Sequence, residues 1–297
     1  MIAGPTASGK TNLAVNLADH FKAHIYSADS RQIYKELTIG TAKPDHDILT
    51  KIPHHFINHV SIHQPYTAGK YEDEIQKSLL EYFEDHQVGI VVGGTGLYLK
   101  LIVEGLDILP QVNPEVLHQL QESFKSKGIQ YLQGLLKEKD INYYHQVDLK
   151  NSRRLIRALS VTLSGDIPYS TFLGNKTEKS KKPYDIIGII LDPPREKLYE
   201  NINQRVDEMM ENGLEKEAKK FFNERHLPSL QTVGYSELFE YFQHRISKEK
   251  AVELIKQNSR RYAKRQGTWF RKYGYGQIFN PDLESDILNY ILHKMKD

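Results

Sequence analysis

The segment at residues 4–11, Gly-Pro-Thr-Ala-Ser-Gly-Lys-Thr, constrains the fold of this 297-residue chain more than any other feature. It fits the pattern G-x-x-x-x-G-K-[ST], a glycine-rich loop that lies between a strand and a helix and surrounds phosphate groups with backbone N–H groups. Leu13, Leu17 and Phe21 follow at four-residue intervals, which predicts one buried face of that helix. The strand before the loop is then short and formed by residues 1–3.

Short apolar runs later in the chain alternate with helical patterns. Residues 24–28, 88–92 and 184–191 are predicted buried strands, and a helical stripe that includes Ile75 and Leu79 separates the first two. Strands that alternate with helices indicate a parallel sheet. The predicted fold class is therefore α/β, a P-loop nucleoside-triphosphatase-like parallel sheet flanked by helices.

Residues 113–165 have a helical pattern without strands. A polar, lysine-rich stretch at 174–182 follows and is typical of a linker. We predict an all-helical domain inserted at 113–182. The catalytic core is then discontinuous and consists of 1–112 and 183–297.

Composition narrows the function classes. The 40 Lys and Arg residues against 38 Asp and Glu give a net charge of only +2, so any attraction to nucleic acid must come from local patches. The absence of cysteine excludes disulfides and a cysteine nucleophile, and the histidines at 54–63 do not have zinc-type spacing. No signal peptide is visible and no apolar run reaches about 20 residues, which predicts a cytoplasmic protein without a membrane segment. We expect it to be monomeric.

The phosphate loop suits a diphosphate rather than one particular nucleotide. Its glycines let the backbone approach phosphate oxygens, Lys10 adds a positive charge, and the Thr11 hydroxyl can bind Mg²⁺. Because these contacts do not read a nucleobase, both a nucleoside triphosphate and a prenyl diphosphate are admissible ligands.

Polar residues follow the predicted strands, at the sheet edge where ligands bind in open α/β folds. Asp29 can accept a proton from an attacking amine, bind Mg²⁺ indirectly or cap the next helix. Thr95, in the glycine turn at 93–96, can approach a leaving phosphate or simply form part of a tight turn. Asp192 has the position of a metal-binding acid in kinases, although the two prolines after it indicate a turn. Arg205 can reach a phosphate from its helix or form a surface ion pair.

Two basic clusters predict contact with nucleic acid. Residues 256–272 contain seven Lys or Arg and no acid, and Tyr262 and Trp269 are interleaved, a pattern that suits phosphate contact with base stacking. The second cluster consists of Arg153, Arg154 and Arg157. A solvated basic face explains a single cluster, but two clusters favour a clamp on RNA.

Six segments together resemble the bacterial tRNA dimethylallyltransferases, and the resemblance covers nearly the whole chain. The segments are the phosphate loop at 4–11, Asp29-Ser30-Arg31-Gln32-Ile33-Tyr34, Gly40-Thr41-Ala42-Lys43-Pro44, Gly93-Gly94-Thr95-Gly96-Leu97-Tyr98, Val233-Gly234-Tyr235 and Lys264-Arg265-Gln266-Gly267-Thr268-Trp269. Their order and spacing are more specific than the loop alone. Leu117 and Asn201 depart from the pattern, because arginine is frequent at both positions in the family.

The resemblance implies a reaction and a set of site residues. Dimethylallyl diphosphate would bind the phosphate loop with Mg²⁺ on Thr11, and Asp29 would be the base for N6 of the adenosine 3′ of the anticodon in tRNA, flipped out of its stack. Thr95 and Arg205 would position the leaving diphosphate. The implied diphosphate-binding residues are Gly4, Thr6, Ala7, Ser8, Gly9, Lys10 and Thr11. The implied tRNA-binding residues are Asp29, Ser30, Arg31, Gln32, Arg153, Arg154, Arg157, Gly234, Tyr235, Lys264, Arg265, Gln266, Trp269 and Arg271.

Three other functions stay open from the residues alone. A small-molecule kinase would use ATP and a metal-binding acid such as Asp192. An isopentenyltransferase acting on free adenine nucleotides would share the loop and Asp29 but would not need two RNA-sized basic clusters. A non-catalytic RNA-binding protein would leave the phosphate loop and Asp29 without a purpose.

Overall fold

A single six-stranded parallel sheet organises the computed structural model, which describes residues 1–175 and 182–296. Its strands are β1 (Ile2–Ala3), β2 (Ile25–Ser27), β3 (His54–His55), β4 (Ile90–Gly93), β5 (Ile189–Leu191) and β6 (Gln277–Phe279). They pair in the order β3-β2-β4-β1-β5-β6, and every neighbouring pair is parallel. The α/β fold class predicted from the sequence is confirmed.

Helices cover the sheet on both faces. The α-helices of the described chain are α1 (Lys10–Phe21), α2 (His46–Lys51), α3 (Ala68–Tyr82), α4 (Gly96–Glu104), α5 (Pro114–Lys139), α6 (Ile141–Tyr144), α7 (Ser152–Gly165), α8 (Arg195–Glu211), α9 (Leu214–Lys220), α10 (Tyr235–Phe242), α11 (Lys248–Tyr273) and α12 (Glu284–Lys294). Within the described residues, no helix is both long and apolar enough to cross a membrane.

Successive residues of the central strands pack into two different cores. Ile2 of β1 and Ile25 of β2 pack with α1 and α12 on one face of the sheet. Their neighbours Ala3 and Tyr26 pack with α3, α4 and helices α8 to α11 on the other face. Side chains alternate across a strand, so a sheet covered on both faces requires continuous apolar runs. This is why the central strands could be recognised in the sequence.

The chain divides into two compact units, one formed by Met1–Val103 with Lys182–Asp297 and the other by Glu104–Lys181. The smaller unit has a core of its own between α5 and α7, to which Leu132 and Leu159 contribute. It begins earlier than the boundary at 113 that we predicted. Most of the predicted linker at 174–182 lies outside the described residues.

The two edge strands, β3 and β6, were not predicted. β3 consists of two histidines and β6 is partly exposed, because an edge strand presents less of its surface to the core and needs no apolar run. The predicted strand at 184–191 is shorter than expected. Its pairing with both neighbours starts only at Ile189, so residues 184–187 lie beyond the register of the sheet.

Candidate active site

The predicted active-site residues meet where three adjacent strands end. The phosphate loop leaves β1, Asp29 follows β2, and Thr95 follows β4, which lies between the other two strands. Parallel strands end at the same edge of a sheet, and ligands bind at that edge. The sequence motifs are therefore brought together by the topology.

The phosphate loop is curved in a way that requires its glycines. Gly9 has a φ of 88° and stands at the N-cap of α1, where a residue with a side chain is strained. A Cβ atom at Gly4 would lie 2.7 Å from the carbonyl oxygen of Leu191, so only glycine fits beside β5. The loop thereby leads directly into the N-terminus of α1, whose free N–H groups favour an anion.

Two pockets lie on either side of a common wall in the larger unit. The loop pocket lies over the phosphate loop and is lined by residues that include Lys10, Thr11, Gly94 and Gln266. The outer groove is lined by residues that include Arg31, Gly234, Ser236, Ser259 and Arg265. The shared wall, which borders both, consists of Thr6, Asp29, Thr41, Ala42, Arg205 and Tyr262. Two ligands bound in the two pockets would therefore meet at Asp29 and Arg205.

Lys10 provides the charge of the loop pocket. Its Nζ donates a hydrogen bond of 2.6 Å to the carbonyl oxygen of Pro5. Loss of hydration and the neighbouring Arg205 guanidinium lower the pKa of Lys10 to about 7, against an opposing effect of Asp29. Burial also lowers the pKa of Arg205. Both cations are thus poorly solvated, and an incoming anion is the group that would stabilise them.

Asp29 is held by backbone groups through one oxygen. Its Oδ1 accepts hydrogen bonds from the backbone N–H groups of Arg31 at 2.8 Å and Gln32 at 3.2 Å. Both bonds use the same oxygen, and the carboxylate borders both pockets. The helix cap considered from the sequence is not what the structure shows, because residues 30–33 form a turn and not the start of a helix. The carboxylate caps this turn through Oδ1, which orients Oδ2 rather than engaging the whole carboxylate.

Thr95 and Arg205 approach the site from different elements. The Thr95 hydroxyl accepts from the Ser30 backbone N–H at 3.0 Å and is also hydrogen-bonded to Tyr262. Arg205, on α8, donates from Nη1 to the Thr6 hydroxyl at 3.4 Å. Although 37% of Tyr262 is exposed, burial of its hydroxyl end raises the pKa to about 12, so this group acts as a neutral phenol.

The residues expected to touch RNA differ in their accessibility. The exposed members are Arg153, Arg154, Arg157, Lys264, Arg265 and Arg271. The partly buried members are Asp29, Ser30, Arg31, Gln32 and Trp269. Gly234, Tyr235 and Gln266 are buried. The residues expected to touch RNA therefore do not form one exposed surface, because some are exposed, some are partly buried and some are buried.

Several of the partly buried members also have protein partners. The guanidinium of Arg31 donates to the carbonyl oxygen of Ser229 at 3.2 Å. The Gln32 side chain donates to the carbonyl oxygen of Ala42 at 2.9 Å, which fixes part of the shared wall. Trp269 packs so closely that a Cβ atom at Gly96 would lie 2.5 Å from its ring. These side chains support the architecture of the pockets as well as lining them.

Sequence reasoning missed a buried acid beside the pockets. The Glu217 carboxylate accepts hydrogen bonds from the backbone N–H groups of Thr38, Ile39 and Gly40 and from the hydroxyl of Tyr235. It thereby holds the segment that continues into Thr41 and Ala42 of the shared wall. The signal in the sequence was an acid among the buried positions of a short helix, next to Leu214 and Ala218.

Asp192 and the histidines have ordinary partners. Asp192 forms an ion pair of 3.0 Å with Arg271. His59 contacts Glu74 at 2.8 Å and His63 contacts Glu224 at 3.2 Å. In the part of the chain that the structure describes, no three His, Asp or Glu side chains are grouped to hold a metal ion.

Asn201, one of the two departures from the family pattern, lies beside the phosphate loop. Its side-chain amide donates to the carbonyl oxygen of Ala7 at 3.4 Å. Leu117, the other departure, is partly buried on α5 in the smaller unit.

Comparisons with known proteins find relatives that match over nearly the whole chain. The family model described as "IPP transferase" matches residues 32–273. A tRNA dimethylallyltransferase from Christiangramia forsetii is 45% identical and covers 99% of this chain and 97% of its own length. A second, from Cytophaga hutchinsonii, is 44% identical with 100% and 97% covered.

Solved structures show the same architecture. The full-length tRNA isopentenylpyrophosphate transferase from Bacillus halodurans superposes with a TM-score of 0.69, is 32% identical and covers 99% of this chain and 97% of its own. A eukaryotic dimethylallyltransferase acting on tRNA has a TM-score of 0.80 at 24% identity, covers 94% of this chain and 73% of its own, and supports the fold alone. The resemblance read from the motifs is confirmed, and this chain belongs to the IPP transferase family, that of the tRNA dimethylallyltransferases.

Proposed function

We propose that this chain transfers a dimethylallyl group from dimethylallyl diphosphate to N6 of the adenosine 3′ of the anticodon in tRNA. The observation that carries the proposal is the shared wall, which places Asp29 and Arg205 at the border of two pockets. A transfer between two large substrates requires that each reaches the same groups from its own side. The names of the relatives, tRNA dimethylallyltransferase, support the same reaction.

The loop pocket is suited to the donor. The N-terminus of α1, Lys10 and Arg205 supply positive charge for the diphosphate. Ile57 and Val92 line the same pocket and offer apolar surface for the prenyl chain. The ligand we assign is therefore an allylic diphosphate and not a bare phosphate.

Mg²⁺ belongs to the proposal as the counter-ion of the donor. Thr11 and Asp29 both present oxygen atoms to the loop pocket, and Mg²⁺ prefers oxygen ligands while keeping several waters. Thr11 would hold the ion together with diphosphate oxygens, with Asp29 reaching it indirectly. When bound, Mg²⁺ neutralises negative charge on the diphosphate.

The transfer exchanges one bond for another at C1 of the donor. The C1–O bond breaks and its electron pair leaves with the diphosphate, while the N6 lone pair forms the new C1–N6 bond. Delocalisation over the allyl group stabilises the developing positive charge, and Lys10 and Arg205 stabilise the leaving diphosphate. The proton of N6 passes to Oδ2 of Asp29, because Oδ1 is oriented by backbone N–H groups.

The outer groove would receive the acceptor base. An adenine inside a folded anticodon loop reaches Asp29 only after it leaves its stack, and Tyr262 and Arg265 border the space that it would enter. Exposed Lys264 on α11 supplies a phosphate contact, as does the arginine cluster on α7, whereas Arg271 would first have to leave its ion pair with Asp192. Because the proposed acceptor is tRNA, we propose that the reaction takes place in the cytoplasm. We also propose that the protein is a monomer, since no step of the reaction needs a second copy of the chain.

The test is a product analysis. The purified chain and Mg²⁺ are incubated with dimethylallyl diphosphate or with ATP, and unmodified tRNA or AMP is offered as acceptor. Mass spectrometry of the nucleosides should show dimethylallyladenosine from tRNA and nothing from AMP.

Each other outcome assigns one of the alternatives. Prenylated AMP would identify an enzyme of free nucleotides, and ATP consumption without prenylation would identify a kinase. The kinase is disfavoured by the ion pair of Asp192 with Arg271, which occupies the acid that a kinase would use for its metal.

A further inference from the structure

The side chain of Gln266 connects the phosphate loop to the end of β4. Its Oε1 accepts a hydrogen bond of 2.9 Å from the backbone N–H of Thr6, and its Nε2 donates one of 2.8 Å to the carbonyl oxygen of Gly94. The residue is only 7% exposed and borders the loop pocket. Both ends of the amide are therefore engaged inside the larger unit.

These two partners set a strict chemical requirement. The Thr6 N–H needs an acceptor and the Gly94 carbonyl needs a donor, and a side-chain amide supplies both at one end without a charge. The approach is so close that a Cβ atom at Gly94 would lie 2.4 Å from Nε2 of Gln266. The bridge thus depends on a glutamine and a glycine together.

Each bridged segment continues into the reacting region. The Thr6 hydroxyl accepts from Arg205, and Thr6 belongs to the shared wall. Gly94 precedes Thr95, whose hydroxyl holds the backbone N–H of Ser30. The Gln266 amide consequently adds a side-chain link between the phosphate loop and the end of β4, beyond the pairing of β1 with β4 in the sheet.

The position of Gln266 on α11 separates it from the RNA face of that helix. Ala263, Gly267 and Phe270 share its buried face, whereas Lys264 and Arg265 are exposed. The family resemblance implied contact between Gln266 and tRNA. In the structure its buried amide is instead hydrogen-bonded to the backbone of Thr6 and Gly94.

We propose that Gln266 is a positioning residue of the donor pocket, which holds the phosphate loop at the correct distance from β4 and does not contact tRNA. The inference rests on the proposed function in one respect only, the assignment of the loop pocket to the donor diphosphate. Diphosphate affinity should therefore depend on Gln266, and tRNA affinity should not.

The experiment compares the full-length wild type with Gln266→Leu, which keeps the size of the side chain and removes both hydrogen bonds. Isothermal titration calorimetry gives the dissociation constant for inorganic diphosphate with Mg²⁺, and filter binding gives that for unmodified tRNA without donor. We expect diphosphate affinity to fall roughly tenfold or more, since a backbone N–H and a carbonyl lose their partners. The tRNA dissociation constant should stay within about twofold of wild type.

Two further variants separate positioning from packing. Gln266→Glu keeps an acceptor for Thr6 but places a negative charge beside the diphosphate, so it should bind diphosphate more weakly than Gln266→Leu at the same melting temperature. Gln257→Leu makes the same substitution in the same helix at a residue outside both pockets, and it should leave both affinities unchanged. Equal diphosphate affinities of folded wild type, Leu and Glu variants would show a purely structural side chain.

The result that overturns the inference is a loss of tRNA affinity in Gln266→Leu with diphosphate affinity intact. This outcome is distinct from a failure of the proposed function, in which wild type binds diphosphate but prenylates no tRNA. In that case the effect of Gln266 on diphosphate binding would still be measurable.

Discussion

The ammonium of Lys10 is the group through which pH acts most directly on the loop pocket. Its pKa of about 7 leaves it largely neutral in the free protein above that pH. A bound diphosphate favours the charged form, so binding takes up a proton and weakens as the pH rises. We expect the dissociation constant for diphosphate with Mg²⁺, measured by calorimetry, to rise by up to roughly tenfold per unit between pH 7 and 9.

Lys10→Arg is the control for this pH dependence. Its guanidinium stays charged over the whole range, while the diphosphate titrates as it does with wild type. If the diphosphate dissociation constant of wild type rises more steeply with pH than that of Lys10→Arg, the difference is therefore due to the titration of Lys10. Parallel curves would show that the lysine remains charged in the free protein.

A substitution at Asp29 can separate its role as proton acceptor from its hydrogen bonds to the backbone of Arg31 and Gln32. Asp29→Asn retains the Oδ1 acceptor for Arg31 and Gln32 but cannot take a proton from N6. We expect single-turnover prenylation of tRNA to slow by about 10²–10⁴-fold, the usual contribution of a general base. Filter binding should show a tRNA affinity within about twofold of wild type. Normal turnover of this variant would remove Asp29 from the proton transfer.

At the scale of elements, helix α5 contains two glycines with opposite roles. Gly128 has φ 75° and ψ −175°, a conformation open only to glycine, and it interrupts the helix. Gly134 lies within the helix, and a Cβ atom there would meet open space. One glycine is thus required by the backbone and the other weakens the helix.

Alanine at these two positions should change stability in opposite directions. Gly128→Ala should lower the free energy of unfolding by about 1–3 kcal/mol. Gly134→Ala should raise it by up to about 1 kcal/mol, because alanine has the higher helix propensity. Urea denaturation of the full chain followed by circular dichroism measures both. Changes of the same sign would mean that the break at Gly128 is not a fixed feature of α5.

A strand could be predicted from the sequence when both of its faces are buried. β2 and β4 are covered on both sides and appear as apolar runs, whereas β3, with its two histidines, gives no such signal. Asp29 and Thr95 were located because they follow recognisable strands. The roles of Gln266 and Glu217 were missed because a polar residue on a buried helical face looks like a surface residue until its partners, distant in the chain, are known.

At the scale of the whole molecule, charge is nearly balanced, so RNA binding must depend on the clusters. Replacing Arg153, Arg154 and Arg157 together by alanine should weaken tRNA binding and reduce the slope of log Kd against log salt by about 2 to 3. Diphosphate affinity should not change, because the loop pocket is formed by the larger unit. Filter binding at several salt concentrations measures the slope.

Lys125→Ala serves as the matched control for the arginine cluster. Lys125 is an exposed cation of the same unit, but its ammonium is paired with Glu122 at 2.7 Å. We expect its removal to leave the salt slope unchanged. An equal loss of slope per removed charge in both variants would mean that the smaller unit attracts RNA by its overall charge and not through the cluster.

The shared wall also limits how this protein can diverge. Tyr262 and Asp29 each border both pockets, so a substitution that reshapes the space for one ligand changes the space for the other. A substitution in the shared wall that admits a bulkier prenyl group would therefore alter the space for the nucleoside at the same time. A substitution at Ile57 or Val92, which border the loop pocket and not the outer groove, could change the donor preference alone.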